Sequence, residues 1–414
     1  MLIGRRLLAA LGVVSAAFAT PSAATETGVP SAQGESRMET GTEAGFAAWV
    51  AGFRPRALAA GITGQTFDDA FRDARFDPAV VEKDRNQSEF TKSIWDYLDS
   101  AVSDERVAKG QAALQDNLAL LERIEATYGV DKQVVVAVWG LESAYGTYRG
   151  TYPLIGTLAT LAFDTRRGAF FEEQLLAALT ILQNGDVDAA AMTGSWAGAM
   201  GHTQFIPTSY LAHAVDFTGD GRRDIWSDDP ADALASTAAY LANAGWQTGK
   251  PWGVEVTLPP GFDYGDTGER VKKPVARWQA LGVRTAEGGA LPDHGPASVL
   301  LPAGARGAAF LVFANFGAIE RYNAADAYVI GVGHLADRIA GAPPIRAAWP
   351  RQDRVLSFDE RVELQQRLAA AGFDPGAADG RIGPNTIAAV RAFQRSIGAV
   401  PDGYASLGVL QKLR

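Results

Sequence analysis

Residues 134–146 read Val134-Val-Val-Ala-Val-Trp-Gly-Leu-Glu142-Ser-Ala-Tyr-Gly146. Eight uncharged, mostly apolar residues run into one carboxylate. A helix that is apolar all round lies inside a protein. The stretch therefore predicts a buried helix over 132–143 whose last turn carries Glu142. Two effects act on that carboxyl. Burial disfavours its charged form, and the negative end of the helix dipole pushes the same way. A carboxylic acid still protonated near neutral pH is what protonation of a glycosidic oxygen requires. The alternative is a Glu at a helix end that points to water.

Working outward, most of the chain is helical in pattern. Phe46, Trp49, Val50 and Phe53 recur at i, i+3, i+4, i+7. Helical segments are predicted around 88–100, 104–127, 132–143, 168–183, 186–191, 230–244 and 325–338. Residues 250–300 hold Pro, Gly and β-like runs such as Val254 to Leu258, which predict a small strand-containing part; Leu311 to Phe316 reads as buried. Residues 341–355 have the Pro and Ala composition of a linker. In 356–414, Leu364, Leu368 and Phe373 give one apolar face, and Ile387, Val390 and Phe393 another. Pro384 follows Gly383 at the expected first helical position. The fold class read from this order is mainly α (α+β).

Composition narrows the function classes. At roughly 150 residues per domain, 414 residues predict two or three domains. With 47% hydrophobic and 21% charged residues, collagen, coiled coil and wholesale disorder are excluded. A net charge of −9 leaves no electrostatic footprint for nucleic acid. The absence of Cys removes disulfides, thiolate metal sites and thiol nucleophiles. His202, His213, His294 and His334 form no H-E-x-x-H pattern, which argues against a zincin. At the N-terminus, Arg5 and Arg6 precede the apolar run Leu7 to Phe18, with small-x-small sites at Ala17–Ala19 and Ser22–Ala24. The run is too short to span a bilayer comfortably. Residues 1–24 thus read as a cleavable signal peptide, and a short membrane anchor is the alternative. Export to the periplasm, no lipid attachment and no integral span in the mature chain are expected. Residues 25–42, rich in Ser, Thr, Gly and Glu, read as a flexible leader.

Two further stretches carry chemistry. Gly194-Ser-Trp-Ala-Gly-Ala-Met-Gly201-His-Thr-Gln-Phe-Ile-Pro-Thr-Ser-Tyr210 combines small residues with neutral polar groups, Ser195 and Gln204, and aromatics, Trp196, Phe205 and Tyr210. That mixture suits a sugar, which has apolar faces and polar edges; a tight helix-packing turn is the alternative. Its spacing fits neither G-x-S-x-G nor a dinucleotide fingerprint. Asp216-Phe-Thr218-Gly-Asp220-Gly221-Arg222 starts like an EF-hand loop, with oxygens at positions 1, 3, 5 and 7 and the turn glycine at 6. Position 12 is Ser227 instead of Glu. A closing carboxylate would come from Asp228, Asp229 or Asp232, and an acidic loop without metal is the alternative.

Together these motifs resemble the lytic murein transglycosylases of the membrane-bound-B type. The resemblance rests on WGLESAYG (139–146), on GSWAGAMGHTQFIPTSY (194–210) followed by DFTGDG (216–221), and on RYNAADAY (321–328), in the family's order over roughly residues 43–340. The tail, with LQQRLAAAGF (364–373) and DGRIGPNTIAAVRAFQ (379–394), resembles a peptidoglycan-binding module. The resemblance implies a lysozyme-like helical catalytic domain over 43–340, with a small β-containing part and an EF-hand-like loop. A linker at 341–355 and a three-helix peptidoglycan-binding domain at 356–414 follow.

The same resemblance makes Glu142 the single catalytic acid and base. It places saccharide contacts at Tyr97, Arg166, Arg167, Ser195, Gln204, Tyr240, Tyr322, Asn323 and Tyr328. For the two arginines surface ion pairing is the alternative, and for Tyr97 and Tyr240 core packing. A structural Ca2+ would lie on Asp216, Thr218, Asp220, the Arg222 carbonyl and, with a two-residue insertion, Asp232; no cofactor is needed for the chemistry. The implied substrate is the peptidoglycan glycan strand. Its β-1,4 bond between N-acetylmuramic acid and N-acetylglucosamine would be cut to leave a 1,6-anhydromuramoyl end. A muramidase using water on the same fold and a catalytically silent wall anchor are the other readings. Loss of Glu142 would have marked the last, and Glu142 is present.

Overall fold

The computed structural model describes residues 41–85 and 92–414. The expected signal peptide and nearly all of the expected leader lie outside them. The described chain divides into two compact units, one of residues 41–85, 117–124 and 138–240, the other of 92–116, 125–137 and 241–414. As expected, helices dominate and strands are few.

The first unit is built around the helix Leu154–Phe163, in which every residue is buried. The helices Glu43–Ala59, Gly64–Phe71, Pro78–Arg85 and Gly168–Asn184 pack against it. A segment buried on all sides has no polar face and hence no 3.6-residue alternation, so this helix has no periodic signature. Glu43–Ala59 does show one: Phe46, Trp49 and Phe53 are buried, and Trp49 stacks on Phe53 with ring centroids 5.1 Å apart. Thr42 caps that helix by accepting the Gly45 N–H at 3.0 Å. The helix expected at 186–191 is not formed. Gly185, at φ +80°, ends Gly168–Asn184 in a left-handed cap. Residues beyond it make a turn in which Asp188 O accepts from Ala191 and Met192 N–H.

The second unit holds a four-stranded antiparallel sheet in the order Arg284–Thr285, Gly253–Thr257, Ala309–Val312, Ser298–Leu300. The strands begin in the predicted 250–300 region but continue beyond it, since Leu311 lies on a central strand and not only in a buried stretch. Trp278, Val283, Val299 and Leu311 form the core beneath. The helix Asp326–Ile339 packs on Ile94–Ala101, Asp104–Asp116 and Ala314–Tyr322. The single helix expected at 104–127 is interrupted at Asn117.

The C-terminal helices Phe358–Ala370, Pro384–Ser396 and Leu407–Leu413 enclose Leu364, Leu368, Val390, Phe393, Val409 and Leu410. Ser357 opens the first with a reciprocal cap to Glu360. Residues 341–355 carry no helix or strand, yet they are held. The Glu255 carboxylate accepts from Arg346 and Ala347 N–H at 2.9 and 2.7 Å. Arg351 grips Asp99 with two hydrogen bonds, and Trp349 lies beside Trp95. The three-helix part is fixed in turn, because Asp402 Oδ2 accepts the Ala305 N–H and Arg391 donates to Thr267 Oγ1. Among the described residues no helix is long and apolar enough to cross a membrane.

Candidate active site

Glu142 occupies the last turn of the helix Lys132–Ser143 and is 9% exposed. Valines 135, 136 and 138 are buried, as the sequence pattern requires. The chain leaves the helix through Ala144 at φ +50°, Tyr145 at φ +60° and Gly146 at φ +82°. Two successive non-glycine residues in the left-handed region are a strained exit, of a kind that persists only when surroundings enforce it. The enforcing contacts are visible. The Tyr145 ring lies so close over Gly140 that a Cβ there would sit 2.5 Å from it. The same ring meets Trp139 edge-on at 5.9 Å. Ser143 Oγ donates to His202 O at 2.5 Å and accepts the Gly146 N–H at 2.9 Å.

The 193–206 loop faces this exit within the same unit. Thr193–Gly194 pairs antiparallel with Tyr152–Pro153, and bridges Gly194–Met200 and Met200–Phe205 fold it back on itself. Ser195 Oγ accepts the Ala199 N–H at 3.0 Å, which leaves its own proton to donate. Gln204, at φ +55°, donates its amide to Arg149 O and Gly201 O at 3.2 and 2.9 Å. The three aromatics read as sugar-facing surface are instead core: Trp196, Phe205 and Tyr210 are all buried. Tyr210 donates to Arg223 O at 2.6 Å, and burial holds its phenol above the usual range. Tyr240 is half-buried between Phe205 and His213, whose ring centroid is 4.3 Å away.

Arg166 and Arg167 converge on Asp84, which is 1% exposed. Arg166 Nε donates to Asp84 Oδ2 at 2.7 Å, and Arg167 Nη2 to Asp84 Oδ1 at 2.5 Å. Both side chains remain partly accessible, and the Arg167 guanidinium also lies over the Phe171 ring, 4.8 Å from its centroid. In the second unit, Tyr97 stands half-buried on the helix Ile94–Ala101. Tyr322 ends one helix and Tyr328 begins the next, their rings parallel within 6° at 6.5 Å. Asn323 between them accepts the Ala325 N–H at 3.1 Å. Six of the sequence-derived saccharide and catalytic positions thus lie in the first unit (Glu142, Arg166, Arg167, Ser195, Gln204, Tyr240) and four in the second.

The acidic loop is shaped by its own carboxylates. Asp216 accepts from the N–H groups of Gly219, Asp220 and Gly221, and the Gly221 bond leads in holding its carboxyl below the usual range. Asp232, 3% exposed, closes the loop: Oδ1 accepts from Phe217 and Thr218 N–H, and Oδ2 from Asp224 N–H. Burial pushes its carboxyl up. Asp228, one of the alternative closers, is turned outward to Arg149. Donor chemistry and loop spacing fit a hard cation. As the loop stands, however, these oxygens serve backbone N–H groups. Among the described residues no three acidic or histidine side chains converge as a ready ligand set.

A family model described as a transglycosylase SLT domain matches residues 45–337. The chain belongs to that family. A putative peptidoglycan binding domain matches residues 358–413. The SLT region includes every site residue described above. Over 251 residues the chain is 32% identical to the membrane-bound lytic murein transglycosylase B of Escherichia coli K12, covering 59% of this chain and 66% of that protein, just under two thirds of it. It is 53% identical to SltB3 of Pseudomonas aeruginosa, whose crystal structures are complexes with NAG-anhNAM-pentapeptide and with NAG-NAM-pentapeptide. That match covers 89% of this chain and 99% of SltB3 with a TM-score of 0.87. The Escherichia coli lytic transglycosylase Slt35, solved in complex with calcium, is 28% identical over 70% of this chain and 92% of its own, with a TM-score of 0.61.

Four side chains in this SLT domain received no role from the sequence: Trp139, Ser143, Arg149 and His202. Trp139 Nε1 donates to His202 Nδ1 at 3.1 Å across 63 residues. No local spacing signals such a pair.

Proposed function

We propose that the protein is a peptidoglycan lytic transglycosylase that cuts the β-1,4 bond between N-acetylmuramic acid and N-acetylglucosamine. Glu142 protonates the leaving oxygen. It then takes the proton of the C6 hydroxyl on the same muramoyl residue as the C6 oxygen bonds to C1 in place of the departed, protonated glycosidic oxygen, giving a 1,6-anhydromuramoyl end. A nucleophile already held in the substrate replaces water and brings the rate advantage of an intramolecular step. One carboxyl serves both half-reactions, whereas glycosidases that use water or a covalent intermediate need two. The observation that carries this reading is Glu142 itself, buried at a helix end whose strained exit is enforced by Tyr145, Ser143 and His202. The SltB3 complexes, one with an anhNAM sugar and one with NAM, support it. Mass spectrometry of products from purified sacculi tests it. Muropeptides lighter by one water than hydrolysis products, with no reducing muramic acid end, are expected; reducing ends would make the protein a muramidase.

The acidic loop is proposed to take up Ca2+ through Asp216, Thr218, Asp220, the Arg222 carbonyl and Asp232, supporting the fold and taking no part in bond cleavage. A cation that binds only the folded state raises apparent stability with its concentration. The melting temperature should therefore climb on Ca2+ titration and fall with chelator. A flat response over the whole range would leave the loop a purely hydrogen-bonded structure.

Residues 356–414 are proposed to hold the enzyme on the wall, so that it meets its next bond at high effective concentration. Deleting them should weaken retention on sacculi in a pull-down while cleavage of soluble fragments persists. Equal retention of both forms would reject the role. An exported, periplasmic location follows from the substrate in this reading.

A further inference from the structure

We infer that His202 is a positioning residue for Glu142, holding the side chains that flank the carboxyl on both sides. The inference rests on the assignment of Glu142 as acid and base. Trp139 lies three residues before Glu142, on the same helical face, and Ser143 directly follows it. An indole N–H can only donate. The 3.1 Å bond from Trp139 Nε1 therefore makes His202 Nδ1 an acceptor and places the ring proton on Nε2. Nε2 in turn lies 2.8 Å from Ser227 O and donates to it. The backbone carbonyl of His202 itself accepts from Ser143 Oγ at 2.5 Å.

Each end of this bridge is closed. A Cβ on Gly146 would stand 2.6 Å from His202 Nδ1, so the chain leaving the catalytic helix packs directly on the ring. A Cβ on Gly201 would stand 2.3 Å from Ile225 O, so the residue before His202 is pressed on the strand of chain that carries its acceptor. That acceptor turn is clamped from outside. Arg149 donates to Trp226 O at 2.9 Å and to Ser227 O, and pairs with Asp228 at 2.6 Å. Burial, reinforced by the neighbouring Arg149 guanidinium, outweighs the Ser227 carbonyl, Asp228 and Asp224, which act the other way, and keeps the ring below the usual histidine range, in keeping with the neutral form that the geometry demands. The arrangement acts on the neighbours of Glu142 rather than on the substrate. Its consequence is rotational and translational restraint of the last helical turn, where a 1 Å displacement can lower a rate about 10²-fold.

The test uses the full-length protein with soluble glycan fragments. His202→Ala removes both ring bonds. His202→Asn keeps an acceptor near the Nδ1 position, and Trp139→Phe removes the donor while keeping a ring. Expected are a fall in kcat of about 10–100-fold for His202→Ala with KM within roughly threefold, and substantial recovery in His202→Asn. A kcat loss is also expected in Trp139→Phe that does not deepen when combined with His202→Ala, because the two act through one bond. The downfield indole N–H resonance of Trp139, identified by its loss in Trp139→Phe, should vanish in His202→Ala and persist in His202→Asn. A folded His202→Ala with wild-type kcat, or additive losses in the double variant, overturns the inference. If His202→Ala fails to fold, wild-type kcat in Trp139→Phe overturns it alone. An active Glu142→Gln would instead strike the underlying assignment, which the indole resonance does not depend on.

Discussion

Glu142→Gln is expected to lower the rate of glycan cleavage by about 10²–10⁴-fold or beyond, since a positioned acid–base group commonly contributes that much. The upper end applies because the same carboxyl is asked to give a proton in one half-reaction and take one in the next. Gln keeps the size and hydrogen-bonding capacity of the side chain, so the buried site is neither emptied nor left with an unpaired charge. The unfolding midpoint in urea should move little. The loss should appear in kcat with KM nearly unchanged, because the proton transfer belongs to the transition state and not to ground-state binding. Muropeptide release from sacculi, followed by chromatography and mass spectrometry beside a urea titration read by circular dichroism, measures both halves. A variant that keeps most of its activity would falsify the catalytic role of Glu142.

The helix Lys132–Ser143 was legible because its composition is extreme: apolar residues on every face ending in one carboxylate leave few other structures. The same logic hides Leu154–Phe163. It is just as buried, but no charged residue falls within it and it has no polar face, so it lacked a feature to read. The aromatics of the 194–210 loop show the opposite failure. Trp196, Phe205 and Tyr210 have the composition of a sugar platform, yet the small residues around Trp196 and Phe205 let the loop fold tightly and draw both inside, while Tyr210 is buried on the helix Pro207–His213. Composition cannot tell a ring that faces a ligand from one that faces the core. Arg166 and Arg167 were visible as a pair, but the Asp84 that fixes them stands 82 residues from Arg166. The acidic loop was readable at its start, where spacing is short and regular. Its closing residue depended on how the chain returns: Asp232 reaches back to Phe217 and Thr218 N–H, while the nearer Asp228 turns to Arg149. At 186–191 an Ala-rich segment suggested helix, and one glycine in the left-handed region decided otherwise.

Gly150→Ala is expected to be the most damaging small substitution in the first unit. Gly150 has φ +88° and Gly185 has φ +80°, so an Ala at either pays the left-handed penalty of roughly 1–2 kcal/mol. They differ in what a side chain would meet. Nothing lies within 4 Å of a Cβ at Gly185. At Gly150 the Cβ would stand 2.1 Å from the carbonyl carbon of Gly194 and 2.5 Å from Ser195 N. Those are backbone atoms, and Gly194 is held by pairing with Tyr152 and by the bridge to Met200. No rotamer change relieves the clash, so the pair must separate. Separation displaces Arg149, whose carbonyl accepts from Gln204 and whose guanidinium clamps the Trp226–Asp228 turn. A destabilisation on the order of 4 kcal/mol or more is expected for Gly150→Ala, in the range reserved for such named core defects. Gly185→Ala should stay near the conformational penalty alone. Urea titrations of the two variants against wild type give the comparison, and cleavage rates of the folded fraction should fall only for Gly150→Ala. Equal midpoints for the two would mean that the Gly150–Gly194 approach can open at no expense, and that the loop bearing Ser195 and Gln204 is not built on it.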